Sequence, residues 1–235
     1  SPFTNEKTPS FFVSPDKGLY HCFSTGKGGD MFTFIQEMEG VDFRGALKIL
    51  ADRAGVELRR VDPKEAKEKD IQHEILEDAT LYFEKVLANS PEAMKYLTDR
   101  EVEEKTIKEF RIGFAPAGWR NLYEVLSKKY TDKDIAMAGL GKVSEKGIYD
   151  TFRDRIMFPI MDTAGRPIAF SGRILHPDEK SAKYVNSPDT PLFKKSEVLF
   201  ALNLAKNYIR KYNFTILAEG QFDVVMLHQA GFRNA

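Results

Sequence analysis

The chain has 235 residues, 42% of them apolar and 30% charged, which is an ordinary balance for a soluble protein and leaves room for one large domain or two smaller ones. No run of eighteen or more apolar residues exists, which excludes a hydrophobic transmembrane helix. Lysine plus arginine and aspartate plus glutamate number 35 each, so no uniformly basic surface is present, although a local polyanion groove stays open.

The charge is unevenly spread. Arg153 to Lys211 holds eleven Lys/Arg against six Asp/Glu, whereas Asp62 to Glu84 holds eight acids against three lysines. The later half is the place to look for a phosphate ligand. A single cysteine, Cys22, excludes an intramolecular disulfide framework. With Ser1 first and no signal-peptide pattern, the expected compartment is the cytoplasm.

Residues 10–13 and 19–23 read as two strands joined by Ser14-Pro15-Asp16-Lys17-Gly18. A glycine-rich loop, 25–30, follows, and Asp30 is positioned to cap a helix carrying Met31, Phe34, Ile35 and Met38. A second helix carries Phe43, Ala46, Leu47, Leu50 and Ala51 and stops at Gly55. Lys, Glu and Asp dominate 62–75, a solvated linker or exposed helix start, and the expected domain boundary lies there.

Helical spacing resumes at Ile75, Leu76, Ala79 and Leu87, then at Ala93 to Leu97. Ile107 to Trp119 is an aromatic stretch with 113–116 as its turn, and Leu122, Leu126, Ile135 and Ala138 suggest two short helices. From Tyr149 the period moves towards two. Residues 155–160 and 167–170 flank the hairpin turn Asp162-Thr163-Ala164-Gly165. Thr215-Ile216-Leu217-Ala218 reads as a buried strand running into Glu219-Gly220 and a helix from about Phe222 to Gln229.

Three constellations carry chemistry. A hairpin and glycine-rich knuckle around Cys22 has the shape of a zinc ribbon, yet such a site needs four soft or borderline ligands and only Cys22 offers a thiolate. His21 adjoins it, but neighbours on a strand point to opposite faces. On its surroundings alone Cys22 is better read as a small buried hydrophobe.

The second constellation is cationic. Arg153 and Arg155, at i and i+2, are expected on one strand face, and Arg173, Lys183-Tyr184, Asn186-Ser187 and Lys194-Lys195 follow within a short span. Each alone is as readily a solvated charge as a ligand; together they favour a phosphate-lined groove. The third is Glu219-Gly220-Gln221-Phe222-Asp223, an acid pair after an apolar strand, where open α/β sheets place ligands. Asp223 reads equally well as a helix-start residue.

Ser1-Pro2-Phe3-Thr4 and Cys22-Phe23-Ser24-Thr25 resemble the Cys-Pro-Phe-His and Cys-Phe-Gly-Cys motifs of the bacterial DNA primase zinc module, and 149–160, 170–173, 183–188 and 190–195 resemble its polymerase domain. The resemblance implies an α+β chain with α/β character. A zinc-ribbon-like template-binding module would span 1–60, a charged linker 61–75, the N-terminal part of an RNA polymerase domain 76–211, and the first strand and helix of a TOPRIM fold 212–235.

It implies DNA-templated synthesis of RNA primers on single-stranded DNA. Arg153, Arg155, Arg173, Lys183, Tyr184, Asn186, Ser187 and Lys195 would bind template and nucleotides. Glu219 would hold Mg²⁺ or Mn²⁺, and Asp223 would support it. Ser1, Thr4 and Thr25 replace three zinc ligands, so the module, with only Cys22 left, is expected to bind no zinc.

The expected partners are the single-stranded template, ribonucleoside triphosphates, an RNA–DNA hybrid and, through a C-terminal domain outside these residues, the replicative helicase; no membrane is involved. TOPRIM chemistry also needs an Asp-x-Asp pair, which does not occur after Glu219, so the sequence as it stands is expected not to polymerise. An inactive nucleic-acid-binding remnant is the alternative. Another TOPRIM enzyme, such as a topoisomerase, fits 107–196 poorly.

Overall fold

In the computed structural model, residues 1–56, 58, 63–145, 147–177, 179 and 181–235 are described. They form two units, Ser1–Asp62 and Pro63–Ala235.

In the first unit, strands β1 (Phe11–Ser14) and β2 (Leu19–Cys22) pair antiparallel with Phe11 opposite Cys22 and Ser14 opposite Leu19. The glycine-rich loop contributes a third strand, β3 (Gly28–Asp30), paired with Leu19 to His21. Glycine has no strand preference of its own, so the neighbouring strand, not the local sequence, makes β3.

Helix α1 (Met31–Glu39) starts where Asp30 Oδ1 accepts the Thr33 N–H at 2.9 Å, the expected cap. Helix α2 (Phe43–Ala54) starts with the equivalent bond from Gly45 to Asp42, at 2.8 Å. Alternation sends Phe11 and Tyr20 inward, where they pack edge-on and tilted against Phe3 and Phe34 with centroids 5.3–6.0 Å apart. The outward positions hold Phe12 and His21, directly opposite each other, with Phe23 beyond.

The second unit opens on helix α3 (Pro63–Ala88). Of the expected linker 61–75, residues 61 and 62 lie outside the described residues and the rest is helix, because Lys, Glu and Gln are good helix formers and Pro63 suits a first turn. Helices α4 (Pro91–Thr98) and α5 (Glu104–Glu109) follow. Strand β4 (Gly113–Ala115) occupies the stretch expected to be a turn. Next come α6 (Asn121–Leu126), α7 (Asp132–Met137) and the two-stranded ribbon β5 (Gly141–Ser144) and β6 (Gly147–Asp150).

The expected hairpin is the centre of the fold. Strands β7 (Arg155–Met161) and β8 (Pro167–Ile174) pair antiparallel, with β4 beyond β7 and β9 (Tyr184–Asn186) beyond β8. Both central strands are buried along nearly their whole length, so their alternation is apolar on each face. Phe83 from α3 meets Phe170 edge-on at 5.4 Å, and Phe158 meets Phe222 at 5.1 Å on another part of the core.

Helices α8 (Leu202–Tyr212) and α9 (Gln221–Gln229) complete the unit. The expected buried strand at 215–218 is corrected: the segment pairs with no strand among the described residues, and Leu217 is 75% exposed. Its tie to the fold runs instead to Asn234, whose carbonyl accepts the Ile216 N–H at 3.0 Å and the Thr215 hydroxyl at 3.0 Å. An apolar run becomes a strand only where a partner strand receives its backbone groups. Among the described residues no helix is long and apolar enough to cross a membrane.

Candidate nucleic-acid interface

The cations gather at the end of the β7–β8 ladder where Arg155 pairs with Ile174. Arg173, near the end of β8, donates from Nε to the Tyr96 hydroxyl at 2.6 Å and from a terminal nitrogen to the Tyr184 hydroxyl at 2.7 Å. Its guanidinium also lies 4.9 Å from the Phe222 ring centre. Arg100, just beyond α4, stacks on the other ring of this set, 3.7 Å from the Tyr96 centre and 6.0 Å from that of Phe222. Two guanidiniums and three aromatic rings thus form one cluster. Phe222 precedes Asp223 directly and follows Glu219 by three residues.

A second cluster lies near the start of β7. The Arg153 guanidinium sits 4.2 Å above Trp119 and 5.4 Å from Tyr149, and it donates to the Asp150 carbonyl. Asp150 fixes the arrangement from below. Its N–H donates to the Trp119 carbonyl at 2.7 Å, and its carboxylate accepts the Leu122 and Tyr123 N–H groups at 2.8 and 2.9 Å. Burial pushes the Asp150 carboxyl above its ordinary value, against those backbone donors. Trp119 is 64% exposed, a flat ring with a cation on it, open to a stacking base.

The expectation that Arg153 and Arg155 share a strand face is corrected. Asp154 between them has φ +52°, so the chain turns there and β7 begins only at Arg155. Arg153 goes to the aromatic surface. Arg155 is 93% buried, donating to the Gly172 and Ala182 carbonyls at 3.1 and 3.0 Å. Burial lowers its proton affinity below the usual arginine value. A β-carbon at Gly172 would stand 2.9 Å from the Arg155 side chain, so the glycine is what lets that chain pass across β8. Arg155 is therefore a brace of the sheet at this end of the ladder.

Ser187 is also structural: buried, it accepts the Phe170 N–H at 2.9 Å through Oγ. Tyr184 holds Arg173. Asn186 is half-buried on β9, and its Oδ1 is buried without a hydrogen-bond partner among the described residues. Lys183 and Lys195 are exposed. Sequence reasoning missed Tyr96, Arg100 and Trp119. The lone tryptophan beside Arg120 was the available signal; Tyr96 and Arg100 join the Arg173 cluster only through the packing of α4.

At the N-terminal knuckle, Cys22 Sγ lies 3.3 Å from the Ser1 Oγ, 3.3 Å from the Ser24 Oγ and 3.6 Å from the Ser10 Oγ. Thr4 Oγ1 joins through Ser24 at 3.4 Å. Hydroxyl donors from Ser1, Ser24 and Thr25 hold the buried thiol down at about 6. The family's zinc would need thiolates and imidazole here; one thiolate among neutral hydroxyls does not fit it. No group of three or more metal-ligating side chains occurs among the described residues. Glu219 and Asp223 are exposed hard-oxygen donors that suit part of a hydrated Mg²⁺ shell.

A buried antiparallel hairpin edged by arginines and aromatic rings, beside an acid-glycine turn, places a cationic, ring-lined surface at one end of a four-stranded sheet. The chain belongs to the bacterial DNA primase family: the pattern of the DNA primase catalytic core, N-terminal domain, matches residues 82–206, and that of the CHC2 zinc finger matches 1–66.

It is 41% identical to DNA primase of Synechocystis over 99% of the chain and 39% of that protein. It is likewise 41% identical to DNA primase of Deinococcus radiodurans over 100% of the chain and 40% of that protein. The chain thus spans about two fifths of these relatives.

Among solved structures, the zinc-binding and RNA polymerase domains of Aquifex aeolicus primase superpose with TM-score 0.66 at 34% identity, covering 100% of this chain and 57% of that one. The RNA polymerase domain of Mycobacterium tuberculosis primase, in complex with double-stranded DNA carrying a 6-nucleotide overhang, superposes with TM-score 0.67 at 35% identity, covering 71% and 53%.

Proposed function

We propose that this chain forms the template- and nucleotide-holding part of a cytoplasmic DNA primase, which makes short RNA primers on single-stranded DNA. The carrying observation is the pair of cation–aromatic clusters, Arg100–Tyr96–Arg173–Tyr184 and Arg153–Trp119, at one end of the β7–β8 ladder. Rings receive bases and guanidiniums receive phosphates, which is sequence-tolerant recognition of a single strand. Solved relatives include a DnaG primase catalytic domain bound to single-stranded DNA.

In this reading Lys183 and Lys195 add mobile charges for phosphate, the Asn186 side-chain amide meets a base or ribose, and ribonucleoside triphosphates approach the Glu219 edge. Bound there in part by Glu219 with Asp223 in support, Mg²⁺ would offset triphosphate charge and activate the attacking hydroxyl. The TOPRIM assignment of residues 212–235 belongs to this proposal, as does an RNA–DNA hybrid as the product held. The second reading, a binding remnant without polymerase activity, is favoured by the replaced zinc ligands.

Primer synthesis on a single-stranded template by the full-length gene product decides between the two. For the groove itself, Trp119→Ala and Lys183→Ala are expected to weaken binding of an oligo(dT) strand in fluorescence anisotropy. Loss of the Trp119 stacking ring costs about 1–3 kcal/mol. Loss of the Lys183 charge costs less and lowers the salt slope by about one. Wild-type affinity in both variants would remove the groove assignment.

The N-terminal module is proposed to hold no zinc and to be maintained by its hydroxyl–thiol cluster and its Phe3–Phe11–Tyr20–Phe34 core. Elemental analysis of the purified chain is expected to find no stoichiometric zinc, and a chelator is expected to leave the melting curve in place. The triple variant S1C/T4H/T25C is expected to take up zinc.

A further inference from the structure

His176, just after β8, is placed between two carboxylates on different elements. Its Nδ1 lies 2.8 Å from Asp154 Oδ1, and its Nε2 lies 2.8 Å from Glu92 Oε1 on α4. The backbone closes on the same aspartate: the His176 N–H donates to Asp154 Oδ2 at 3.2 Å, and the Leu175 N–H donates to the Asp154 carbonyl at 2.9 Å. Asp154 is the residue with φ +52° that sends Arg153 to Trp119 and Arg155 into the sheet. A non-glycine residue in this conformation persists only where its surroundings hold it.

We propose that His176 is a positioning residue for the groove arginines: by bridging Glu92 and Asp154 it holds the left-handed Asp154 and so keeps the Arg153 guanidinium on the Trp119 ring. The inference rests on the reading of that surface as the single-strand groove only for its consequence in DNA binding; its geometric part stands without it. Glu92 lies in the first turn of the helix that carries Tyr96, so the same imidazole ties the two cation–aromatic clusters together.

The bridge depends on charge. Imidazolium donates from both nitrogens, whereas neutral imidazole donates from one and must release one carboxylate. The charged groups facing His176 are Glu92 from α4 and Asp154 from the turn before β7; Asp154 in turn faces Arg155, which Arg153 also faces. Hydrogen bonds that the imidazolium donates to Glu92 and then to Asp154 raise it above its ordinary 6.5. The folded-state value is therefore above the unfolded one. The contribution is complete below about 6.5 and is lost as pH rises through the higher folded value.

Trp119 is the single tryptophan of the chain, so its emission reports the Arg153 contact directly. The full chain is titrated from about pH 6 to about pH 9, a window in which neither phosphodiesters nor arginines change charge. Tryptophan emission and oligo(dT) anisotropy are both recorded.

In the wild type, the emission is expected to change above 6.5, and the oligo(dT) affinity is expected to fall by about threefold, the scale of an exposed ion pair. His176→Ala is expected to show the high-pH emission and affinity throughout, with no transition. Glu92→Gln is expected to keep the transition but move it to lower pH. His176 is more than half exposed, so neither substitution threatens the fold. An emission profile in His176→Ala identical to that of the wild type would overturn the proposal. A wild type that binds no oligo(dT) yet shows the His176-dependent emission change would overturn the groove reading and leave the positioning role standing.

Discussion

Arg173→Ala is expected to weaken single-stranded DNA binding by about thirtyfold, roughly 2 kcal/mol. Three effects combine at this one side chain. A phosphate partner disappears. The Tyr96 and Tyr184 hydroxyls lose the donor that aims both rings, at 2.6 and 2.7 Å. The ring of Phe222 loses the cation 4.9 Å from its centre.

Arg173→Lys restores the charge but cannot reach both hydroxyls from one ammonium, so it is expected to recover only part of the affinity. Anisotropy across a salt series separates these contributions. The alanine variant is expected to lose about one unit of salt slope, the lysine variant none. A melting curve run in parallel controls for folding. If the alanine variant binds as the wild type does, the Tyr96–Arg173–Tyr184 cluster is an internal brace and the template runs elsewhere.

The features legible in the sequence were those set by local chemistry. The Asp162 to Gly165 turn and its flanking period-two runs predicted β7 and β8, because both signals lie within the hairpin itself. Asp30 announced α1 for the same reason. What failed depended on distant partners.

Strand β3 is glycine-rich and exists through its pairing with β2. The 215–218 run has a strand's composition but no strand beside it among the described residues. Arg153 and Arg155 satisfy the alternation rule, yet Asp154 turns the chain between them, held by contacts from residues 175 and 176 that no local pattern encodes. Of the candidate site, Arg153, Arg173 and Tyr184 were visible as a cluster of types. Arg155 and Ser187, expected to bind ligand, both bond backbone groups instead. Tyr96, Arg100 and Trp119 lie well before the basic stretch and reach it only by tertiary packing.

Gly113→Ala is expected to destabilise the second unit by about 3 kcal/mol, near the upper end for inserting one methyl group into a packed core. The new β-carbon would stand 2.5 Å from Phe83 Cβ, 2.7 Å from the Phe83 carbonyl carbon and 3.0 Å from the Glu84 nitrogen. Two of those three atoms are helix backbone, so no rotamer change relieves the contact; α3 itself has to withdraw from β4. It is not free to do so.

Phe83 is 2% exposed and locked edge-on against Phe170, and Arg111, two residues before the glycine, clamps the same helix face through Glu77 at 2.7 and 2.9 Å and Glu84 at 3.1 and 3.2 Å. Those carboxylates hold the Arg111 guanidinium above its ordinary proton affinity, with Glu77 the larger influence. Calorimetry is expected to show a melting point lower by roughly 10 °C for a unit of this size. Helix α4, with Tyr96 and Glu92, packs on α3, so a shift of α3 is transmitted to the groove. The variant is therefore expected to lose oligo(dT) affinity along with stability, whereas Arg173→Ala loses affinity at nearly full stability. That difference separates the support of the surface from the surface itself.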